Sequence, residues 1–330
     1  MKGRLLALFL ALSASLSAAG GTLSVICYHR FGAESTKDPY KIALARFNAQ
    51  LDWLKAEGFH TVTLKQVADA SNGALPGKSL ILSIDDGYKA GLDGLAAIEA
   101  HGFKAVYFVN PGSLGHGSFM SWEQCREIER RGHEVASHTL THPNLAKPGK
   151  SQDVKAYCAS IAKELRHSKE LLEKELGHPV LALAYPYGAY NPAVGVAAKK
   201  AGYQQVYTVS DGNNPTGSMD LLRIRRILLM GAPSQKAFEK RLQLAAMPAD
   251  EDVLQDGALF YQGRPGLDLS ALSHRYDVSA EGSACKTLPG DLKTGFHYVE
   301  LRQGGQLHNK FLIQVAQPAW EPYFKALTEN

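Results

Sequence analysis

The chain of 330 residues has little excess charge of either sign, and beyond its first residues it has no long apolar run. The formal net charge is +4 at pH 7; without Lys2 and Arg4 it is +2, from 34 basic and 32 acidic residues. This nearly neutral balance does not indicate a basic surface that would bind nucleic acid or an anionic membrane. We therefore expect no nucleic-acid partner and, after the N-terminal segment, no stable membrane span.

Cysteine is scarce, with only four residues in the whole chain: Cys27, Cys125, Cys158 and Cys285. They allow three disulfide connectivities, and no pair has the CxxC spacing of a redox or metal motif. Cys125 and Cys158 fall in successive predicted helices and would be able to meet. Free buried thiols are an equal alternative, so the cysteines predict no function.

The first residues have the order of a secretory signal. Lys2 and Arg4 precede the apolar stretch Leu5–Leu12, and small residues follow up to Gly20. This pattern predicts a signal peptide over residues 1–19, cleaved before Gly20, and a protein that is periplasmic or secreted. An uncleaved membrane anchor is the alternative, but the apolar segment is short for spanning a bilayer.

Apolar strand-like runs alternate with amphipathic helical stretches over most of the chain, which indicates βα units and a mainly parallel sheet. Seven or eight such units favour an α/β fold of the distorted (β/α) barrel type, over residues 20–248, rather than an open doubly wound sheet. The predicted strands are 23–28, 61–64, 80–84, 105–109, 134–137, 180–185, 205–209 and 223–229.

The pattern changes after about residue 248. Residues 298–301 alternate, Gly304 and Gly305 mark a tight turn, and an apolar run returns at 311–313, which predicts a hairpin. We expect residues 249–330 to form a small antiparallel β module.

Two adjacent carboxylates, Asp85 and Asp86, close the apolar run at 79–84. Two such acids cannot both ionise cheaply without a cation nearby, so the pair suggests a metal site. The rival interpretation is the acidic strand end of a nucleotide hydrolase, because residues 73–79 resemble a phosphate-binding loop. That loop has one residue too few between its glycines and runs into the acidic strand with no intervening helix, so we reject nucleotide binding.

Two histidines, His138 and His142, follow the predicted strand at 134–137 and precede Pro143. An HxxxH pair alone is a weak signal. Strand ends share one rim of a barrel, however, and both imidazoles would face Asp85 and Asp86 there. A mixed carboxylate and imidazole site with one acid left over as a base indicates metal-assisted hydrolysis.

Three motifs in this order resemble the polysaccharide deacetylases of carbohydrate esterase family 4, the NodB-homology domain. Ile84-Asp85-Asp86-Gly87 is similar to the first motif, His138 to His142 to the second, and Ala184-Tyr185-Pro186-Tyr187-Gly188 to the third. The resemblance covers residues 23–245. It implies that Asp86, His138 and His142 hold a divalent metal, usually Zn²⁺, and that Asp85 is the general base.

In the same resemblance, the backbone N–H of Tyr187 helps to stabilise the tetrahedral oxyanion. The chain departs from the family at Ala184, where an arginine normally orients the base, and Arg223, Arg225 and Arg226 are the candidates to replace it. The usual C-terminal Leu-x-His motif, the source of the general acid, is also missing.

Tyr28-His29 offers another source for that acid at the end of the first strand. The poly-N-acetylglucosamine deacetylase branch of the family has its acid histidine in such an N-terminal motif and lacks the arginine. This resemblance implies that His29 protonates the leaving amine. A structural histidine is the alternative.

We therefore predict a metal-dependent enzyme that removes N-acetyl groups from an extracellular N-acetylglucosamine polysaccharide, with a β-1,6-linked polymer favoured by resemblance. Peptidoglycan, chitin fragments and O-acetyl esters remain open, because the site chemistry is the same for each. A non-catalytic polysaccharide-binding module that aids polymer export, and hydrolysis of a small cyclic amide, are the rival hypotheses.

A few polar and aromatic residues have two interpretations or none. Asp211 either contacts sugar and tunes His29 or forms a turn, and Trp122 is either a sugar platform or a packing residue at a helix start. The histidines without a motif are predicted to lie at the surface; they are His101, His116, His133 and His167.

Overall fold

The computed structural model describes residues 21–33, 37–70, 75–147, 153–217, 219–231, 233–243, 261–262, 277–280, 283–285, 295–316 and 321–328. The predicted signal peptide, residues 1–19, and the predicted domain boundary at 248 lie outside these residues. Both stay predictions.

A curled, mainly parallel sheet with helices around it forms the N-terminal part of the fold. Its helices are α1 (Leu44–Ala56), α2 (Leu64–Asp69), α3 (Leu95–Ala100), α4 (Trp122–Arg130), α5 (Val154–Leu176), α6 (Pro192–Lys200) and α7 (Gln235–Leu242). The strands of this part are β1 (Thr22–Tyr28), β2 (Arg30–Gly32), β3 (Lys41–Ala43), β4 (His60–Thr61), β5 (Ser79–Ile84), β6 (Ala105–Val109), β7 (Glu134–Ser137), β8 (Ala182–Ala184), β9 (Gln205–Tyr207), β10 (Asn214–Pro215) and β11 (Ile227–Leu228).

Strands β1, β5, β6, β7, β8 and β9 are parallel neighbours in that order. The segment 221–228 joins the two ends of this row. The N–H of Ile224 donates to Val206 O at 2.8 Å, and further along β11 pairs in parallel with Ile26 and Cys27 of β1. Seven strands thus close a distorted (β/α) barrel, which confirms the predicted fold class.

Successive side chains of the central strands point alternately into the barrel and outwards under the helices, as period-2 geometry requires. In β6, Val106 and Phe108 belong to the cluster inside the barrel, whereas Ala105, Tyr107 and Val109 pack beneath the surrounding helices. Burial on both faces explains why the strands read as continuous apolar runs in the sequence.

Two of the eight predicted strands are reduced to two residues each in the structure. The predicted strand at 61–64 is only β4, because Thr63 caps α2 in a capping box with Gln66. The predicted strand at 223–229 is only β11, because its first half bonds to the β9 side of the barrel instead. Strands β2, β3 and β10 and helix α2 were not predicted from the sequence.

The surface prediction is wrong for His133, which is 3% exposed. Its Nδ1 accepts a hydrogen bond from the N–H of Ala105 at 3.0 Å, and its Nε2 lies 3.2 Å from Glu99 Oε1. The histidine is therefore a satisfied structural residue. His116 is exposed, and His101 and His167 are partly buried.

The C-terminal residues form a second sheet in which β15 (Gly295–Gln303) and β16 (Gln306–Ala316) make the predicted hairpin around Gly304 and Gly305. Strand β12 (Tyr261–Gln262) pairs with β16 over two residues. This pairing is parallel, so the module is not wholly antiparallel. Its other strands are β13 (Asp277–Ala280) and β14 (Ser283–Ala284). A last helix, α8 (Glu321–Thr328), packs against α5 and α6.

Cys27, Cys125 and Cys158 are free thiols, so Cys125 and Cys158 do not pair. Within the residues that the structure describes, no helix has both the length and the apolar character needed to cross a membrane.

Candidate active site

One rim of the barrel collects the polar side chains that follow the strand ends. His29 follows β1, the two acids Asp85 and Asp86 follow β5, His138 follows β7, and Tyr187 lies just beyond β8. The carboxyl ends of parallel strands share this rim, which is where barrel enzymes build their active sites. The closure of the barrel therefore brings together residues that are up to 158 positions apart.

Asp86, His138 and His142 form a compact group of one carboxylate and two imidazoles. Asp86 Oδ1 lies 3.5 Å from His138 Nε2 and 3.2 Å from His142 Nε2. Burial raises the pKa of Asp86, but the two imidazoles beside its carboxylate outweigh burial and hold that pKa below its ordinary value. One potential ligand atom from each residue lies within 4.8 Å of the others.

The ring orientation of His138 is fixed from behind. Its Nδ1 donates to the carbonyl oxygen of Ala184 at 2.8 Å, because a carbonyl can only accept. The lone pair of Nε2 therefore points towards Asp86, which is the tautomer that a metal ligand needs. On this evidence the three side chains fit a divalent cation, with nitrogen and oxygen donors suited to zinc.

The loop after β7 is held by α5. Glu164 accepts from both the N–H and the hydroxyl of Thr141, at 3.0 and 2.7 Å, and the N–H of Gly112 donates to Leu140 O at 2.9 Å. His142 thus lies on a rim loop that contacts from two sides hold in place.

Four residues of the rim have left-handed backbone conformations that cost energy for any residue with a Cβ. Their φ angles lie between 60° and 73°. Such conformations persist only where the surrounding structure imposes them, and they cluster at functional sites. The four residues are Asp86, Thr139, His142 and Tyr187.

Asp85 has a different environment from its neighbour Asp86. It is 2% exposed, and Arg226 Nη1 donates to both of its oxygens at 2.8 Å. The thiol of Cys27 also lies 3.4 Å from Asp85 Oδ2. Burial raises the pKa of Asp85, but the Arg226 guanidinium, together with His138 and His29, outweighs it and keeps that pKa below its ordinary value.

Arg226 supplies the guanidinium that Ala184 lacks. Its side chain is fully buried, its Nε donates to Thr208 O at 2.7 Å, and its charged end lies over the Phe108 ring. Arg223, by contrast, pairs with Asp220 at 2.6 Å. Of the three arginines proposed from the sequence, Arg226 is the one that the structure places on Asp85.

His29 lies beside Asp85 and is 9% exposed. Its ring packs against Tyr40 with centroids 4.7 Å apart, and its Nδ1 has no hydrogen-bond partner among the described residues. Burial lowers the pKa of His29, although Asp85 and Asp86 oppose this. A lowered pKa makes the protonated imidazole a stronger acid.

Cys27, His29 and Asp85 also lie close enough to form a ligand group. Because Arg226 already neutralises the carboxylate there, the electrostatics favour Asp86, His138 and His142 as the cation site.

Tyr187 is the most exposed large apolar side chain of the rim, at 61%, and its ring contacts that of His142 with centroids 4.9 Å apart. The turn that presents its backbone requires a glycine next to it. Gly188 has a φ of 63°, and an added Cβ would lie 2.1 Å from Val209 Cγ2.

Asp211 and Trp122, which each had two interpretations from the sequence, make their contacts elsewhere. Asp211 Oδ1 accepts from Arg241 of α7 at 2.6 Å, and Trp122 is the first residue of α4, where it packs against the core. The structure adds Cys27 and Tyr40, which the sequence did not suggest; only the neighbouring Tyr28-His29 motif could have drawn attention to them.

The barrel rim places a group of potential metal ligands next to a buried carboxylate, an arrangement typical of metal-dependent hydrolases. A sequence model of the family described as "Polysaccharide deacetylase" matches residues 72–206, which include both acids, both histidines of the rim loop and Tyr187. Residues 72–206 therefore form a polysaccharide deacetylase domain.

Similar proteins agree with this assignment. The poly-beta-1,6-N-acetyl-D-glucosamine N-deacetylase of Staphylococcus aureus (strain MRSA252) is 29% identical over 208 residues, 61% of this chain and 70% of that protein. The structure of IcaB from Ammonifex degensii has a TM-score of 0.58 at 25% identity, over 68% of this chain and 96% of its own. The Streptococcus pyogenes deacetylase PplD, solved in complex with acetate, shares the fold with a TM-score of 0.59 at 22% identity, over 68% of this chain and 99% of its own.

Replacing Arg226 with Met removes the cation that lowers the pKa of Asp85, while the burial that raises it remains. A base must be deprotonated to act, so we expect the acid limb of the kcat/KM profile for deacetylation to move up by about 1–3 pH units. Arg223→Met is the matched control, because Arg223 pairs with Asp220 instead. An acid limb that stays in place in Arg226→Met would contradict this role.

Gly188→Ala places a Cβ on a backbone that is already left-handed, and that Cβ collides with Val209. We expect it to lower the free energy of unfolding by about 2–5 kcal/mol, against about 1–2 kcal/mol for Gly177→Ala. Gly177 is the matched control, because its φ is 82° but nothing lies within 4 Å of an added Cβ. Urea unfolding measures both, and equal losses would rule out the collision as the cause.

Proposed function

We propose that the protein is a metal-dependent deacetylase that hydrolyses N-acetyl groups of an extracellular N-acetylglucosamine polysaccharide. The family assignment and the printed activity of the Staphylococcus aureus relative support this substrate class and favour a β-1,6-linked polymer. The signal-like order of residues 1–19 supports a periplasmic or secreted location.

The observation that carries the proposal is the different surroundings of two adjacent acids. Asp86 contacts two imidazoles, whereas Asp85 contacts a buried arginine and a thiol. A hydrolase that uses one metal needs one carboxylate as a ligand and another as a base, and this arrangement assigns one acid to each task.

Asp86, His138 and His142 would hold the metal, and Zn²⁺ suits their two nitrogen donors and one oxygen donor. When bound there, the metal would polarise the acetyl carbonyl and make a water molecule more acidic. Open coordination positions are required for both tasks, and three protein ligands leave them.

Asp85 acts as the general base that takes a proton from the attacking water. Arg226 keeps its carboxylate ionised and fixes both of its oxygens, so that the base does not turn away from the substrate. The backbone N–H of Tyr187 donates to the oxyanion that forms at the acetyl carbon.

His29 gives a proton to the nitrogen of the leaving amine. An amine anion is a very poor leaving group, so the C–N bond breaks only when the nitrogen is protonated. The position of His29 beside Asp85, with its ring held against Tyr40, supports this assignment.

The hypothesis of a non-catalytic binding module rested on two missing features, the motif arginine and the C-terminal histidine motif. The contact between Arg226 and Asp85 argues against the first reason, and the position of His29 beside Asp85 argues against the second. Acetate release from different acetylated glycans decides which of them is the substrate.

Metal-reconstituted protein should release acetate from β-1,6-linked N-acetylglucosamine oligomers, and chelation should abolish the release. Asp85→Asn should lower kcat by about 10²–10⁴-fold with metal affinity retained, because only the base is lost. Asp52→Asn is the control, since that exposed acid pairs with His101 on the helical surface. Metal binding without turnover on any acetylated glycan would favour a binding module, and turnover on O-acetyl esters alone would favour an esterase.

His29→Ala should reduce turnover of the amide far more than that of an activated acetyl ester, because a good leaving group needs little protonation. We expect the loss on the amide to be about 10²-fold or more. Parallel kinetics on an N-acetylglucosamine oligomer and an aryl acetate measure the difference. Equal losses on the two substrates would refute the role of His29 as the acid.

A further inference from the structure

The C-terminal helix α8 has one apolar face, and that face is packed on the barrel. Tyr323, Ala326 and Leu327 recur at the i, i+3 and i+4 spacing of a helix face, and Leu327 is only 5% exposed. All three pack against the apolar cluster between α5 and α6. Residues Phe324 and Lys325, on the other side, are exposed.

Polar contacts fix the same helix at both ends. The thiol of Cys158 on α5 donates to Tyr323 O at 3.5 Å, and Lys200 at the end of α6 donates to Leu327 O. The position of α8 on the barrel is therefore set by hydrogen bonds as well as by apolar contact.

The ring of Tyr323 meets that of Tyr157 edge-to-face, with centroids 5.7 Å apart and planes at 82°. This is a favourable geometry for an aromatic pair. Tyr157 is 2% exposed, so the contact with α8 leaves its ring with little freedom to move.

The hydroxyl of Tyr157 joins two loops of the rim. It donates to Leu145 O at 2.5 Å and accepts from Asn191 Nδ2 at 2.6 Å. The same amide of Asn191 reaches Ala146 O at 3.3 Å, while its Oδ1 caps α6 by accepting from the N–H of Val194.

Both of these loops carry residues of the site. Leu145 is three positions after His142, and Asn191 is four positions after Tyr187. Because His142 and Tyr187 have left-handed backbones that relax unless they are held, the ends of their loops must be anchored.

We propose that α8 is a clamp on the active site, in which Tyr323 holds Tyr157 and Tyr157 holds the loops of His142 and Tyr187. Tyr157 and Tyr323 are positioning residues, and the inference rests on the proposed function because it assigns them to the metal site. The C-terminal segment is then part of the catalytic unit.

Three variants test the clamp. Tyr157→Phe removes the hydroxyl and keeps the ring, Tyr323→Ala removes the ring contact, and Tyr323→Phe restores it. Lys325→Ala, on the exposed side of the same helix, is the matched control. All are made in the full chain, because the barrel alone has not been shown to fold.

Hydrogen exchange of the peptide spanning residues 139–147 is the first measurement, in metal-free protein. We expect faster exchange in Tyr157→Phe and Tyr323→Ala, and wild-type exchange in Tyr323→Phe and Lys325→Ala. Unchanged exchange in both of the first two variants would overturn the clamp.

Zinc affinity by chelator competition is the second measurement. Partners that directly orient a metal ligand change metal affinity by about 10–100-fold, so we expect a loss of about 3–10-fold at these more distant positions. A lower melting temperature with wild-type zinc affinity would show that α8 only stabilises the fold, and would also overturn the clamp. If the wild-type protein bound no metal, the proposed function would fail, while hydrogen exchange would still decide whether α8 holds the loops.

Discussion

The salt bridge between Arg226 and Asp85 ties the closing segment of the barrel to the strand that carries both acids. A buried ion pair is stable only when its charges and hydrogen-bonding groups are satisfied, and here Thr208 O and Ser83 Oγ also contact the guanidinium. Arg226 reaches the interior because the segment 221–228 bonds to β9 on one side and to β1 on the other. The closure of the fold and the ionised state of Asp85 therefore depend on the same segment.

The fold class could be predicted because the central strands are buried on both faces and read as continuous apolar runs. The boundaries of β5 and β6 lie within one residue of the prediction. The closing segment was less predictable, because its hydrogen bonds change partner midway and β11 retains only two residues. Helix α8 escaped prediction because eight residues with three apolar contacts give a weak periodic signal.

The grouping of Asp86, His138 and His142 was predictable from motif and order, since all three lie in the segments that follow β5 and β7. The choice among Arg223, Arg225 and Arg226 was not, because it depends on which face of a short irregular strand points inward. The burial of His133 was hidden for a related reason: its partners, Ala105 N–H and Glu99, are distant in sequence. Sequence pattern alone does not reveal interactions between segments that are distant along the chain.

Position 184 illustrates how a motif can lose a side chain without losing a structural task. The carbonyl of Ala184 orients His138, and every amino acid carries that carbonyl. The guanidinium comes instead from Arg226 in the segment 221–228, which contacts the Asp85 carboxylate from the barrel interior. The backbone of position 184 and the arginine side chain of the motif therefore have separable tasks, so a missing arginine in the motif does not by itself indicate a lost site.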